Sequence, residues 1–209
     1  MSKFDLHVHS SYSLDGNVKP KDIIKYLKKK RFKGAAIVDH STIKGATEAM
    51  KYAEDFLVIP GMEIKTDRGH ILAIGIKEEV KSRVADELID EIHEKGGIAI
   101  LAHPFRFSKP KIKADAIEAI NGRNFPLQNK RAIEYARMKR LPVTAGSDAH
   151  FLWELGVAYV DMNAESVEEA IEEILNGVEI DGNQSLFHPI KCKIFSFFSS
   201  AKRGFGRVE

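Results

Sequence analysis

Short apolar runs alternate with longer amphipathic stretches along almost the whole chain. The apolar runs are Phe4–His9, Gly34–Val38, Leu57–Glu63, Ile71–Ile76, Ile98–Ala102, Ala116–Ile120, Leu141–Ala145 and Gly156–Val160. Several are rich in β-branched residues and nearly continuous in hydrophobicity, the pattern of strands covered on both faces. Between them the pattern predicts helices over Pro20–Lys30, Ala46–Phe56, Ser82–Lys95, Pro126–Arg140 and Glu165–Asn176. Proline is tolerated in a first helical turn, so Pro20 marks a start. Gly96-Gly97 and Gly177 mark two stops.

Strand and helix in strict alternation predict a largely parallel sheet with helices packed outside it. A full eightfold barrel typically takes ~250 residues, and this chain has 209. The expectation is therefore an α/β fold built as a trimmed, distorted barrel, with an open doubly wound sheet as the alternative. Residues 1–186 are read as the barrel domain. Residues 187–209 differ in character, mixing Lys191, Lys193, Lys202, Arg203 and Arg207 with Phe195, Phe197, Phe198 and Phe205. They are expected to form an appended helix and tail packed on the barrel, or a basic-aromatic contact for a partner or RNA.

Composition narrows the class. Hydrophobic residues make up 44% and charged residues 30%, the profile of a soluble globular protein. No apolar run approaches the ~18–20 residues of a membrane span, so no membrane partner is expected. The start of the chain shows no basic region followed by an apolar one, so a secretory leader is not expected. The one cysteine, Cys192, rules out an intrachain disulfide and fits a reducing, cytoplasmic setting. A net charge of +2 is too small to argue for nucleic acid by itself.

The chemistry begins at His7-Val8-His9. Residues i and i+2 of a strand share a face, so these imidazoles project together, roughly 7 Å apart at the backbone. Such a pair suits a divalent transition metal. Asp15 follows in the loop Ser10–Gly16. The pattern then recurs at the ends of apolar runs: Asp39-His40, Glu63, His103 and Ser147-Asp148-Ala149-His150. His70 stands instead at the start of a run. Barrel enzymes build their sites from the C-terminal ends of several strands. A lone histidine there is commonly structural, Glu63 could cap a turn and Asp148 could cap a helix. So many imidazoles and carboxylates in one pocket, however, require a compensating cation. His93, in the last turn of a helix, and His188, before Pro189 in the tail, are set aside as non-catalytic.

In that order the motifs Asp5-Leu-His-Val-His9-Ser10, Asp39-His40, His103-Pro104 and Ser147-Asp148-Ala149-His150 resemble those of the PHP family, the polymerase and histidinol phosphatase domains. Gly-Met-Glu63 lies between the second and third, and the resemblance covers about residues 3 to 180. It implies a distorted (β/α)7 barrel with two to three divalent cations (Mn, Zn or Fe) at the C-terminal ends of the strands. The first would take His7, His9, Glu63 and Asp148. The second would share Glu63 and add His103 and His70. The third would take Asp15, His40 and His150. Glu63, His103 and Asp148 would then be catalytic through the metals they hold.

The implied activity is hydrolysis of a phosphate ester by water that the metals activate. The substrate would be a small phosphomonoester, a nucleotide or a nucleic-acid end. Arg106, Lys44 and Arg123 are the candidates for its remaining negative charge, because guanidinium and ammonium groups bind phosphate oxygens. Asp39 is read as a carboxylate that orients a histidine rather than as a ligand. Two other readings stay open: a non-catalytic RNA-binding barrel, resting on the basic runs Lys28–Lys33 and Lys191–Arg207, and metal-dependent hydrolysis of a C–N or C–O bond.

Overall fold

The computed structural model describes residues 1–107, 109–182 and 185–202. Its elements are β1 (Ser2–Val8), α1 (Pro20–Lys29), β2 (Phe32–Ile37), α2 (Lys44–Met50), β3 (Leu57–Thr66), β4 (Gly69–Ile74), α3 (Ala85–Glu94), β5 (Ile98–Leu101), β6 (Ala116–Asn121), α4 (Pro126–Lys139), β7 (Val143–Gly146), β8 (Ala158–Met162), α5 (Val167–Asn176), β9 (Glu179–Gly182) and α6 (Phe187–Lys202). Among these none is a helix long and apolar enough to cross a membrane.

The strands lie in the order β7-β6-β5-β4-β3-β2-β1-β8-β9. β1 forks. Its first residues pair antiparallel with β8, while its last reach the chain just beyond β7. There Asp148 N–H donates to the His7 carbonyl at 2.7 Å and His9 N–H to the Ala149 carbonyl at 3.0 Å. These bonds bring β7 back to β1, so the sheet is a nearly closed, distorted barrel. Gly146 makes the seam possible, because a Cβ there would stand 2.4 Å from His7 Cβ.

The sheet is less parallel than the alternation suggested. β4 runs antiparallel to both β3 and β5, and β8 and β9 are antiparallel additions. Asp67-Arg68 joins β3 to β4 as a tight hairpin, leaving no room for the crossover helix that a parallel pair needs. The hairpin also explains His70, the one candidate at the beginning of its strand. Reversing the chain direction carries the start of β4 to the same end as the close of β3. The helix expected over Ala46–Phe56 stops at Met50; Glu54 then turns through the left-handed region (φ 43°) and Phe56 enters the core.

Alternation along the strands fills the interior with Phe4, Leu6, Val38, Ile59, Leu72 and Ile100. The same period puts Glu63 on the face of Ile59, His70 on that of Leu72 and Glu118 on that of Ala116. The mouth of the barrel is thus polar where its floor is apolar. Outside, α1 covers β1 and β2 with Ile23, Ile24 and Leu27, all buried; each such side chain stabilises by about 1.5–3 kcal/mol. Ile89, Leu88 and Ile92 of α3 do the same over β4 and β5.

One face of α6 packs on the barrel. Cys192 is buried, Phe195 meets the edge of Trp153, and Ser196 accepts from Arg123. Phe197 and Phe198 are exposed. The Lys202 side chain, Arg203, Phe205 and Arg207 lie outside the described residues.

Candidate metal centre

Glu63 is the hub. Its Oε2 lies 3.1 Å from His9 Nε2 and 3.5 Å from His7 Nε2. Its Oε1 lies 2.7 Å from His70 Nδ1 and 2.9 Å from His103 Nε2. Asp148 Oδ1 completes the first side, 3.8 Å from His7 Nε2 and 3.6 Å from His9 Nε2. On the outer side, Asp15 Oδ2 lies 2.9 Å from His150 Nε2 and 3.4 Å from His40 Nε2. All nine residues selected from the sequence therefore converge. Three triads, His7-His9-Glu63, Glu63-His70-His103 and His9-His40-His150, each offer ligand atoms within 4.8 Å of one another.

The ring nitrogens that face away from the cluster have partners of their own. His7 Nδ1 is 2.8 Å from Glu118 Oε1. His9 Nδ1 meets Ser13 Oγ at 3.2 Å, and that hydroxyl donates to Asp39 Oδ1. His150 Nδ1 meets the Asp148 carbonyl at 2.9 Å. The Glu118 and Ser13 contacts turn the other ring nitrogens of His7 and His9 inward and fix their tautomers. Imidazole nitrogens and carboxylate oxygens, so oriented, are the donors that divalent first-row metals take. The residues fit the cations.

Electrostatics points the same way. Burial would raise Glu63, but His40 and the hydrogen bonds from His103, His7 and His70 hold it well below the usual carboxylate range. Burial acts likewise on Asp148, where Arg106, His7 and His150 win and lower it strongly. Burial lowers His9 to about 3, helped by the charges of His150 and His40. For His40 burial is outweighed by Glu63 and Asp15, which raise it to about 9. The carboxylates stay ionised in a buried pocket, the condition for binding a cation.

Two ligand candidates sit on backbone that side chains avoid: His103 has φ 30° and Asp148 φ 55°. Such residues cost about 1–3 kcal/mol each and persist where the surroundings hold them. Here the His103 N–H donates to Glu118 Oε2 at 2.7 Å, and the Asp148 N–H joins the barrel seam.

Asp39 takes no place in the cluster. It accepts from Ser10 and Ser13, through both backbone and hydroxyl groups, and so pins the loop that carries Asp15. Arg106 donates to Asp148 Oδ2, Asn121 and Asn124. Arg123 reaches His150 Nδ1, Glu154 and α6. Lys44 is exposed at the start of α2. His93 pairs with Asp115, and His188 packs on Trp153.

Sequence reasoning passed over Glu118, Ser13, Asn121 and Glu154, and quoted Asp5 without a role. Asp5 accepts from the Ser147, Gly156 and His7 N–H groups, and burial raises it to about 6. Glu118 did carry a signal, a carboxylate at an inward position of the apolar run Ala116–Asn121. Glu154 and Asn121 carried none that local pattern could reveal.

Residues 126–178 match the PHP-associated family. An uncharacterized protein of Methanocaldococcus jannaschii is 37% identical over 116 residues, 49% of this chain and 68% of that protein. The chain belongs to the PHP family. A second uncharacterized protein of the same organism is 29% identical over 204 residues, 88% of this chain and 82% of its own. The PHP fold likeness extends to a two-domain protein from Bacteroides vulgatus that contains a predicted PHP-like metal-dependent phosphoesterase. That match has a TM-score of 0.69 at 18% identity and covers 87% of this chain and 65% of the other.

Proposed function

We propose that this chain is a metal-dependent hydrolase and that the bond it cleaves is a phosphate ester. One observation carries the reading: the two oxygens of Glu63 face separate groups of histidines, Oε2 towards His7, His9 and His40 and Oε1 towards His70 and His103. A carboxylate so placed is suited to bridge neighbouring cations, and paired cations about 3.5–4 Å apart clamp a phosphoryl group for in-line displacement. His7, His9, Glu63 and Asp148 would hold one cation, Glu63, His70 and His103 a second, and Asp15, His40 and His150 a third. When bound, the cations supply charge neutralisation and an acidified water at neutral pH.

The protein's own groups set the geometry. Glu118 orients His7 and fixes the His103 backbone. Asp39 holds Ser13, which in turn holds His9. Arg106 steadies Asp148 at 2.8 Å. Its described hydrogen bonds use three of the five N–H groups a guanidinium carries, so it can still donate to a phosphoryl oxygen. Arg106 is the proposed substrate contact, with the exposed Lys44 as a second candidate, while Arg123 is held between His150, Glu154 and α6.

The test is elemental analysis of protein purified without chelator, with aryl-phosphate turnover read with and without added Mn. Two to three metals per chain and turnover that depends on them are expected. Arg106→Ala should raise KM even at saturating metal, and should also weaken metal binding through the lost contact to Asp148. Fully metal-loaded protein that hydrolyses no ester in a broad phosphate panel would sink the reading.

A further inference from the structure

The β3–β4 hairpin projects beyond the barrel mouth and carries more than ligands. Lys65 follows Glu63 by two positions, so both lie on one face, roughly 7 Å apart along the strand. His70 is the direct cross-strand partner of Lys65, and paired residues point to the same side. The hairpin therefore lays Glu63, His70 and Lys65 along one surface that leads away from the cluster.

That surface borders a cavity of about 480 Å3, lined in part by Lys65, His70, Phe107 and Lys111. Phe107 is 79% exposed. It nevertheless stands beside two ligand candidates, its centroid 6.2 Å from that of His70 and 6.1 Å from that of His103. Arg68 also lines the cavity, but it is paired with Asp86 and Asp67. Lys65 and Lys111 have no carboxylate within 4 Å among the described residues, and both side chains are exposed. The groove thus has a metal-binding end, an aromatic wall and a cationic end.

We propose that this groove is a second substrate subsite, taking the organic part of the ester on Phe107 and a second anionic group, phosphate or carboxylate, on Lys65 and Lys111. The inference rests on the phosphoesterase reading and narrows it, because a bare monoester of a neutral alcohol leaves the cationic end unfilled. The spacing along the strand suits an anion held roughly 7 Å from the scissile phosphate, or somewhat more with the reach of a lysine. Among the described residues neither lysine forms a hydrogen bond or ion pair with a ligand candidate, so the subsite acts on substrate affinity and leaves the metals alone.

Steady-state kinetics of the metal-loaded full chain tests this with phenyl phosphate, 4-carboxyphenyl phosphate and 1,4-phenylene bisphosphate. Wild type should show a KM about 10-fold lower for the two substrates with a second anion, as expected for one charged contact made in a partly desolvated site. Preference for one of these two tells phosphate from carboxylate. Lys65→Ala with Lys111→Ala should abolish the preference and keep phenyl phosphate kinetics within about twofold. Phe107→Ser should raise KM for all three, with kcat and metal content unchanged. No preference in wild type, or a preference that survives the double substitution, overturns the subsite. If no ester is turned over, the phosphoesterase reading fails by itself. Calorimetric binding of 1,4-phenylene bisphosphate, wild type against the double variant, then still decides the groove: binding that both share equally, or that neither shows, overturns it.

Discussion

His70 and His150 belong to the same cluster, yet their surroundings differ in kind. His150 is buried and braced: its ring meets the Asp148 carbonyl and Arg123, and its N–H donates to Glu154. Behind Arg123 stands α6, which accepts through Ser196 and the Cys192 carbonyl. His70 is 22% exposed, at the start of a hairpin strand, with Phe107 as neighbour. Identical donor chemistry is thus set in a closed network on one flank and on an open groove on the other. A ligand backed by buried hydrogen bonds is coupled to the stability of the fold, since each lost partner leaves a polar group stranded. A ligand at the rim is free of that coupling, and side chains around it can change without unfolding the barrel.

The comparison is broken most severely at Glu63, which meets His70 on the open flank and reaches the closed flank through His40. Glu63→Gln should strip metal from both neighbouring positions and reduce turnover by roughly 10^3 or more, given the several kcal/mol of charge stabilisation a metal supplies. Elemental analysis beside aryl-phosphate kinetics measures it, and unchanged metal content would remove Glu63 as the hub. Glu118→Gln comes next. It leaves every ligand in place but weakens the support of His7, and such partners are worth about 10–100-fold in metal affinity or activity. A metal titration that matches wild type would mean that the Glu118 contact does no orienting. The smallest effect is expected behind the closed flank. Ser196→Ala removes one hydrogen bond to Arg123, worth about 0.5–1.5 kcal/mol, and should lower the melting temperature by a few degrees with metal content intact. Loss of metal without loss of stability would instead make α6 part of the site.

Much of the site could be read from the chain because it is built on strand ends. Strand periodicity is local, so His7 and His9 share a direction whatever lies around them, and an apolar run that ends in His or Asp marks the mouth of a barrel. Most of the nine candidates meet in space for that reason; His70 needed the hairpin and Asp15 its loop. The supporting groups were harder. Arg106 looked like a free cation three residues after His103, but the fold aims it at Asp148, Asn121 and Asn124. Glu154 sits in a short 3-10 turn, Leu152–Glu154, and becomes a buried carboxylate only because the His150 backbone and Arg123 close over it.

The sequence by itself determined the alternation of strand and helix, the cysteine-poor α/β class and the identity of the donors, since these depend on residue type and short-range period. Tertiary structure decided the reversal of β4, the closure of β7 onto β1 through His7 and His9, the central position of Glu63 among the histidines, and the closed and open flanks. Each of those depends on which distant segments approach. Approach is set by the packing of a whole interior and by backbone hydrogen bonds across the seam, and no local pattern encodes either.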